Sequence, residues 1–434
     1  MLKMKVAIHS LGCKVNTFEA QQMTDSFLKK GYEIVPFTDI SDIYIINTCS
    51  VTNIADHKSR QMLHRARTLN PDAVVVAAGC YANTRDREDI LNEDVDIVVL
   101  NEEKKDIINI IEKYCEEREN APIAPENAEA PDGLSPVSEF GKTRLFLKVQ
   151  DGCNAFCSYC IIPYARGRIT SPPVKDIIAL AKGYADRGYR EFVLTGIHLS
   201  SYGLDRPDSG EDLISLIESL SGLDGISRIR LGSLELKIVT NDFVSRLSGI
   251  PEICPHFHLS LQSGSDSVLK RMNRHYTTEE YFESISLLRE TFDRPAITTD
   301  VIVGFPGETD EEFEETRIFL ERVNFYETHI FKYSRRHGTV ADRMPGQLTN
   351  ARKAEREKLL LQMTAERKRQ FEEAFINAGP VEVLIEENSQ GYTREYIRVQ
   401  CEAPGSAEGD ILTGKITGRL NNGIMKFIPE LPTE

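Results

Sequence analysis

Short apolar runs alternate with amphipathic stretches from Lys3 to about residue 333, and this alternation constrains the fold more than any other feature of the chain. Val6-Ala7-Ile8, Ile43 to Asn47, Val74 to Ala78 and Ile97 to Leu100 have the length and content of buried strands. Phe18 to Lys30, Ile54 to Leu69 and Ile107 to Tyr114 carry helical periodicity between them. Strands that alternate with helices pair in parallel, because each crossover returns the chain to the same end of the sheet. A parallel α/β unit is therefore expected over residues 3–115.

Residues 116–141 break the pattern. They are rich in Glu, Ala and Pro, as in Glu116-Glu117-Arg118-Glu119-Asn120-Ala121-Pro122, and read as a linker. The alternation then resumes, with candidate strands at 145–149, 191–195, 227–231, 256–261, 296–303 and 329–333. Six strands with intervening helices predict a partial (β/α)6 barrel in a unit spanning 142–372. A charged helix from Ala351 to Asn377 ends at Gly379-Pro380, and short β-rich runs separated by Gly, Asn and Ser follow. A small β-barrel over 373–434 fits them.

The net charge of -15 argues against a general polyanion binder, so any nucleic-acid partner must meet a local basic patch. No apolar run approaches the roughly 20 residues that a membrane-spanning helix needs. The amino terminus reads directly into a strand without a cleavable leader, so a cytoplasmic protein with no membrane partner is expected. Nine cysteines in an intracellular chain are better explained as ligands or redox groups than as disulfide partners.

Cys153, Cys157 and Cys160 form C-x3-C-x2-C immediately after the first strand of the second unit. Three thiolates in one loop can hold three irons of a four-iron cubane and leave the fourth iron open. A zinc site would need a fourth Cys or His to close its tetrahedron, and none follows within ten residues. With Tyr159 just before its last cysteine, the loop resembles the signature of radical S-adenosylmethionine enzymes. That resemblance implies a 4Fe-4S cluster whose open iron is chelated by S-adenosylmethionine and whose electron breaks the sulfonium bond.

Other strand ends match the same family. Thr195 and Gly196 resemble the segment contacting the methionine amino group, although the usual acidic residue is absent. Ser233 and Glu235 resemble the ribose and carboxylate contacts. Gln262 and Gly304 end the fourth and fifth strands beside glycines that permit close backbone approach to an adenine; a tight turn would need the same residues.

Cys13, Cys49 and Cys80 are distant in sequence, yet each lies just past an apolar strand. In a parallel sheet the carboxyl ends of the strands point one way, so these three thiols are expected to converge. Gly12 and Gly79 precede two of them and allow turns that aim the side chains. Cys115, Cys254 and Cys401 lack such context and read as structural thiols.

Taken together, Leu11-Gly12-Cys13-Lys14-Val15-Asn16, Asn47-Thr48-Cys49-Ser50-Val51-Thr52 and Gly79-Cys80-Tyr81-Ala82, the Cys153 loop and the terminal β-barrel resemble the radical methylthiotransferase family. The resemblance implies a second 4Fe-4S cluster on Cys13, Cys49 and Cys80, a terminal domain of the type called TRAM, a sulfur source and an electron donor. The segments Gly196 to Gly203, His258 to Gln262 and Lys270 to Tyr276 are most similar to the branch that converts N6-threonylcarbamoyladenosine in tRNA to its 2-methylthio form. The same chemistry on isopentenyladenosine in tRNA or on a ribosomal-protein side chain is the alternative, and a zinc-holding RNA-binding protein the alternative of another class. For RNA contact, Lys58, Arg60, His64, Arg65 and Arg67 on one helix, Lys332 to His337, and Tyr392, Arg394 and Tyr396 of the terminal domain are the candidates.

Overall fold

In the computed structural model, residues 4–117, 143–402 and 406–430 are described. The first unit is a five-stranded parallel sheet of β1 (Lys5–Ser10), β2 (Glu33–Ile34), β3 (Ile43–Thr48), β4 (Val74–Gly79) and β5 (Ile97–Val99), ordered β2-β1-β3-β4-β5. Every residue of β3 and β4 is buried, as expected for central parallel strands covered on both faces. This order puts the reversal of strand order between β1 and β3, where open parallel sheets form a crevice past their carboxyl ends. Helix α1 (Lys14–Lys29) leaves β1, α2 (Asn53–Leu69) leaves β3, and the short α3 (Cys80–Asn83) leaves β4. The helix Ile107–Glu117 runs two residues into the segment expected as a linker, and residues 118–141 of that segment lie outside the described residues.

The second unit contains β6 (Arg144–Lys148), β7 (Glu191–Thr195), β8 (Arg228–Leu231), β9 (Ser233–Leu234), β10 (His256–Leu259), β11 (Ala296–Val303) and β12 (Glu327–Lys332). They form parallel sheets β6-β7-β8 and β9-β10-β11-β12, with the chain stepping from one to the other at Gly232. A Cβ there would lie 2.8 Å from the Leu194 carbonyl, so only glycine permits the step. The result is the six-position partial barrel expected from the sequence. Its two edge strands are covered: α1 packs along β6, and the helix Asn350–Glu373 packs along β12.

The third unit is a closed barrel of β13 (Val381–Ile385), β14 (Gln390–Thr393), β15 (Arg398–Cys401), β16 (Ile411–Arg419) and β17 (Met425–Pro429). It docks under the amino ends of the parallel strands. Arg228 donates to Glu382 at 2.8 Å and to the Tyr392 carbonyl at 3.0 Å, and Arg230 donates to the Arg394 carbonyl at 2.8 Å. Arg144 donates to the Tyr396 hydroxyl at 2.8 Å and lies over the stacked rings of Tyr392 and Tyr396. Tyr392, Arg394 and Tyr396, the candidates for RNA contact in this unit, are half-buried against the floor of the partial barrel. Among the described residues no helix is long and apolar enough to cross a membrane.

A buried ionic group joins the first two units. Glu19 on α1 pairs with Lys104 at 2.5 Å, Lys148 at 2.7 Å and Arg166 at 2.9 Å, and Arg166 also reaches Asp151 at 3.1 Å. Burial by itself would raise the Glu19 carboxyl, but Lys104, Arg166 and Lys148 hold it well below the usual carboxylate range. Its contribution is therefore full above the unfolded value of about 4.3 and is lost as pH falls through the lower folded value. Replacing Glu19 with Gln leaves three buried cations poorly paired. The variant is expected to lose about 3–5 kcal/mol, measured by denaturant unfolding at pH 7, and to show a flatter acid limb than the parent.

Candidate functional site

Two of the three turns that aim the amino-terminal cysteines use left-handed glycines. Gly12 has φ +98°, and a Cβ there would lie 2.6 Å from Cys49 Sγ, so the Cys13 turn rests directly on Cys49. Gly79 has φ +97°, and a Cβ would meet the Thr48 carbonyl at 2.5 Å, which brings the start of α3 against the end of β3. Cys13 is exposed and Cys49 and Cys80 are buried, and the three converge past adjacent strands β1, β3 and β4. The Cys49 thiol is pushed up to about 11, first by burial and then by the neighbouring Cys80 and Cys13 sulfurs.

The second trio lies in the loop after β6. Gly152, at φ +68°, packs against the Arg168 carbonyl, where a Cβ would approach to 1.9 Å. The loop is pinned by Ser158 N–H to the Met272 carbonyl at 3.0 Å, Ser158 hydroxyl to the Arg271 carbonyl at 2.9 Å, and Asn273 amide to the Phe156 carbonyl at 3.1 Å. Phe156, Asn273 and Gln262 all have positive φ without being glycine, and such strain concentrates at functional sites. The Cys160 thiol is pushed up to about 12 by burial and by Cys157 and Cys153, and Cys153 is raised by burial and by Cys157. In both trios crowding penalises thiolates, and a bound cation is what would reverse that penalty.

The sulfur spacing bears on which cation fits. Among the described residues, the one group of His, Cys, Asp or Glu ligand atoms all within 4.8 Å of one another is His258, Asp300 and His329; neither cysteine trio is gathered that tightly. A tetrahedral zinc with bonds of about 2.3 Å would draw its sulfurs to roughly 3.8 Å apart. A donor set of three thiols suits an iron-sulfur cube with one iron left open.

Around the second trio the structure assembles a polar pocket. Glu235, just after β9, accepts two hydrogen bonds from Arg274 at 2.8 and 2.7 Å, with His198 at 3.9 Å. Arg274 also points at Cys157 Sγ, 3.4 Å away, and donates to the Ser260 carbonyl. Thr195 is buried at the end of β7, Gly196 packs on Gln150, and Ser233 is exposed opposite His258. Gln262 is buried and bridges to Val301, while Tyr159 packs with Met272, Phe305 and Tyr333. Gly304, at φ +72°, meets Lys353 and donates to Glu308 rather than joining the Glu235 group. Arg274 and His198 were missed as site residues by sequence reasoning, which read their segments only as marks of a branch. The available signal was a cation two residues before Tyr276, just past the fourth strand.

The two trios border one another. Helix α3, which starts at Cys80, packs on the helix Ile162–Arg166 that follows Cys160, and a cavity of about 660 Å³ lined by Asn83, Arg85, Tyr164, Arg336 and His337 opens between them. Several expected RNA contacts are otherwise engaged. Arg336 is buried and donates to Ser50, Asn53 and Asp56; Arg67 pairs with Asp96, Arg335 with Asp342, and His64 with Asp94. Cys115, Cys254 and Cys401 are buried away from either trio.

A family model described as the Radical SAM superfamily matches residues 147–320, and one described as uncharacterized protein family UPF0004 matches residues 5–100. The partial barrel and its cysteine loop thus belong to the class of radical S-adenosylmethionine enzymes. The solved structure of the radical S-adenosylmethionine methyltransferase TsrM from Kitasatospora setae, with cobalamin and a 4Fe-4S cluster bound, shares the fold at TM-score 0.56 and 15% identity over 76% of this chain and 75% of that chain. The threonylcarbamoyladenosine tRNA methylthiotransferase MtaB of Aquifex aeolicus is 40% identical over 92% of this chain and 97% of its own length, and that of Bacillus subtilis 39% identical over 95% and 93%. The chain belongs to the tRNA methylthiotransferase family.

The Arg336 assignment is testable. Arg336→Met leaves the buried Asp56 carboxylate with Arg85 at 3.2 Å and the Ser50 hydroxyl, and is expected to cost about 1–3 kcal/mol, read as a lowered denaturant midpoint.

Proposed function

We propose that this protein installs a 2-methylthio group on N6-threonylcarbamoyladenosine beside the anticodon of tRNA, using two 4Fe-4S clusters and S-adenosylmethionine. The observation that carries this reading is two separate thiol trios, one past the strands of the first sheet and one in the loop after β6 of the barrel, on elements that pack together. Cys153, Cys157 and Cys160 would hold the radical cluster, and Cys13, Cys49 and Cys80 the auxiliary one. Bound there, these groups supply an electron that cleaves S-adenosylmethionine, a radical able to remove the C2 hydrogen, and an anchor for the methylated sulfur that replaces it. An aromatic C–H is neither acidic nor weak, so no side-chain base could do this work.

The chain's own residues bind and orient. Arg274, held by Glu235 and aimed at Cys157, is placed to meet the carboxylate of S-adenosylmethionine beside the open iron. Glu235 and His198 offer acceptors to its amino and ribose groups, with Thr195, Gly196, Ser233 and Gln262 at neighbouring strand ends and Tyr159 packed behind the loop. Gly304 supports the turn after β11. An electron donor and a sulfur source must act on the same face, and a cytoplasmic setting suits thiolate-held clusters.

Two variants separate the clusters. Cys157→Ala is expected to abolish 5'-deoxyadenosine formation and to lower iron from about eight to about four per chain. Gly12→Val, whose side chain would displace Cys49, is expected to lose a similar share of iron while still producing 5'-deoxyadenosine, with no methylthiolated nucleoside by mass spectrometry. Retained deoxyadenosine in the first variant, or zinc in place of iron in the parent, would defeat the reading.

A further inference from the structure

Along the strands of the partial barrel, residues facing the helices are buried and alternate residues face a lumen that stays partly accessible. On β10, β11 and β12 the lumenal residues His258, Asp300 and His329 form one polar layer. His258 Nδ1 lies 3.0 Å from the Thr298 hydroxyl, its Nε2 lies 3.3 Å from Asp300, and its ring stacks on His329 at 5.8 Å. Asp300 and His329 are register partners across β11 and β12, and His329 is exposed. Lys14, the residue after Cys13, reaches into the same lumen, its ammonium 5.9 Å from the Phe146 ring. It has no ion-pair partner among the described residues. By contrast the deeper cations Arg144, Arg228 and Arg230 are neutralised by Glu386, Glu382 and Glu191. The lumen therefore offers an unspent ammonium and two imidazoles around one carboxylate, directly below the cluster-bearing end.

Two aromatic faces accompany this layer. Phe331, one register step above His329 on β12, is 48% exposed, and Phe146 is half-buried on the opposite edge strand β6. A base taken out of its stack needs such faces to replace its neighbours.

We propose that Lys14, His258, Asp300 and His329 form the subsite that reads the N6 substituent of the target adenine, selecting a polar chain that ends in a hydroxyl and a carboxylate. This inference rests on the tRNA reading above and deepens it. The ammonium and imidazoles would donate to the carboxylate, and Asp300 would accept from the hydroxyl or a urea N–H. An isopentenyl group in the same place would give Lys14 and His329 nothing to bind, and sites built for hydrogen bonding reject analogues that lack the group. A divalent metal on His258, Asp300 and His329 is the competing occupant. It is disfavoured because the Lys14 ammonium puts charge of its own sign beside it, and because Asp300 already meets His258.

The test uses the full chain, purified anaerobically, and three anticodon stem-loops that differ only in carrying threonylcarbamoyladenosine, isopentenyladenosine or adenosine. Binding is read by fluorescence anisotropy. The parent is expected to prefer the threonylcarbamoyl loop by on the order of tenfold or more. His329→Leu and His258→Leu are expected to bring that ratio near one, with His329→Gln between; His329 is exposed, so its variants should fold and keep parental iron. Variants that keep the full preference would overturn the subsite, as would one zinc per chain in the parent that disappears in His329→Leu. A parent that prefers the isopentenyl loop would instead overturn the substrate reading on which the subsite rests.

Discussion

Arg166 holds the two halves of the site in register. Its guanidinium is fully enclosed and donates to Asn16, three residues past Cys13, to Glu19 on the same helix, and to Asp151 just before the Cys153 loop. One side chain thus links the loop of the first trio to the loop of the second. A planar guanidinium suits this place because it can satisfy several acceptors in fixed directions. Removing any acceptor would leave buried charge uncompensated, so the network behaves as a unit. The relative position of the two trios follows from this junction.

The ends of the partial barrel have different solutions to the same difficulty. A six-position barrel does not close, and its interior is too polar to collapse on itself. At the floor, the terminal β-barrel supplies Glu386 to Arg144, Glu382 to Arg228 and backbone carbonyls to Arg228 and to Arg230, whose carboxylate partner is Glu191 of the core. At the mouth, polar groups remain accessible, and Arg274 and Glu235 satisfy each other beside Cys157. The terminal domain is therefore part of the barrel's structure, which explains why its paired tyrosines lie against arginines of the core.

The acidic chain carries its cations where they are paired. Arg67, Arg335 and Arg336 look like a basic surface when counted in sequence, and each has a carboxylate partner in the fold. Charge content predicts solubility and long-range attraction, but a cation bound to a buried carboxylate contributes to neither. Of the three, Arg336 serves as a joint between the first two units.

Periodicity and cysteine position made the parallel units and the strand-end thiols legible from the sequence by itself, because in a parallel sheet the carboxyl end of every strand lies on one side whatever the packing. Gly12 and Gly79 could be read as turns for the same local reason. What only the tertiary structure decided was the company each polar side chain keeps: Arg274 with Glu235, Arg336 with Asp56, and Tyr396 with Arg144. Those pairings join residues 39, 280 and 252 positions apart. No local rule of spacing reaches that far, since the partners meet only after helices and sheets have packed.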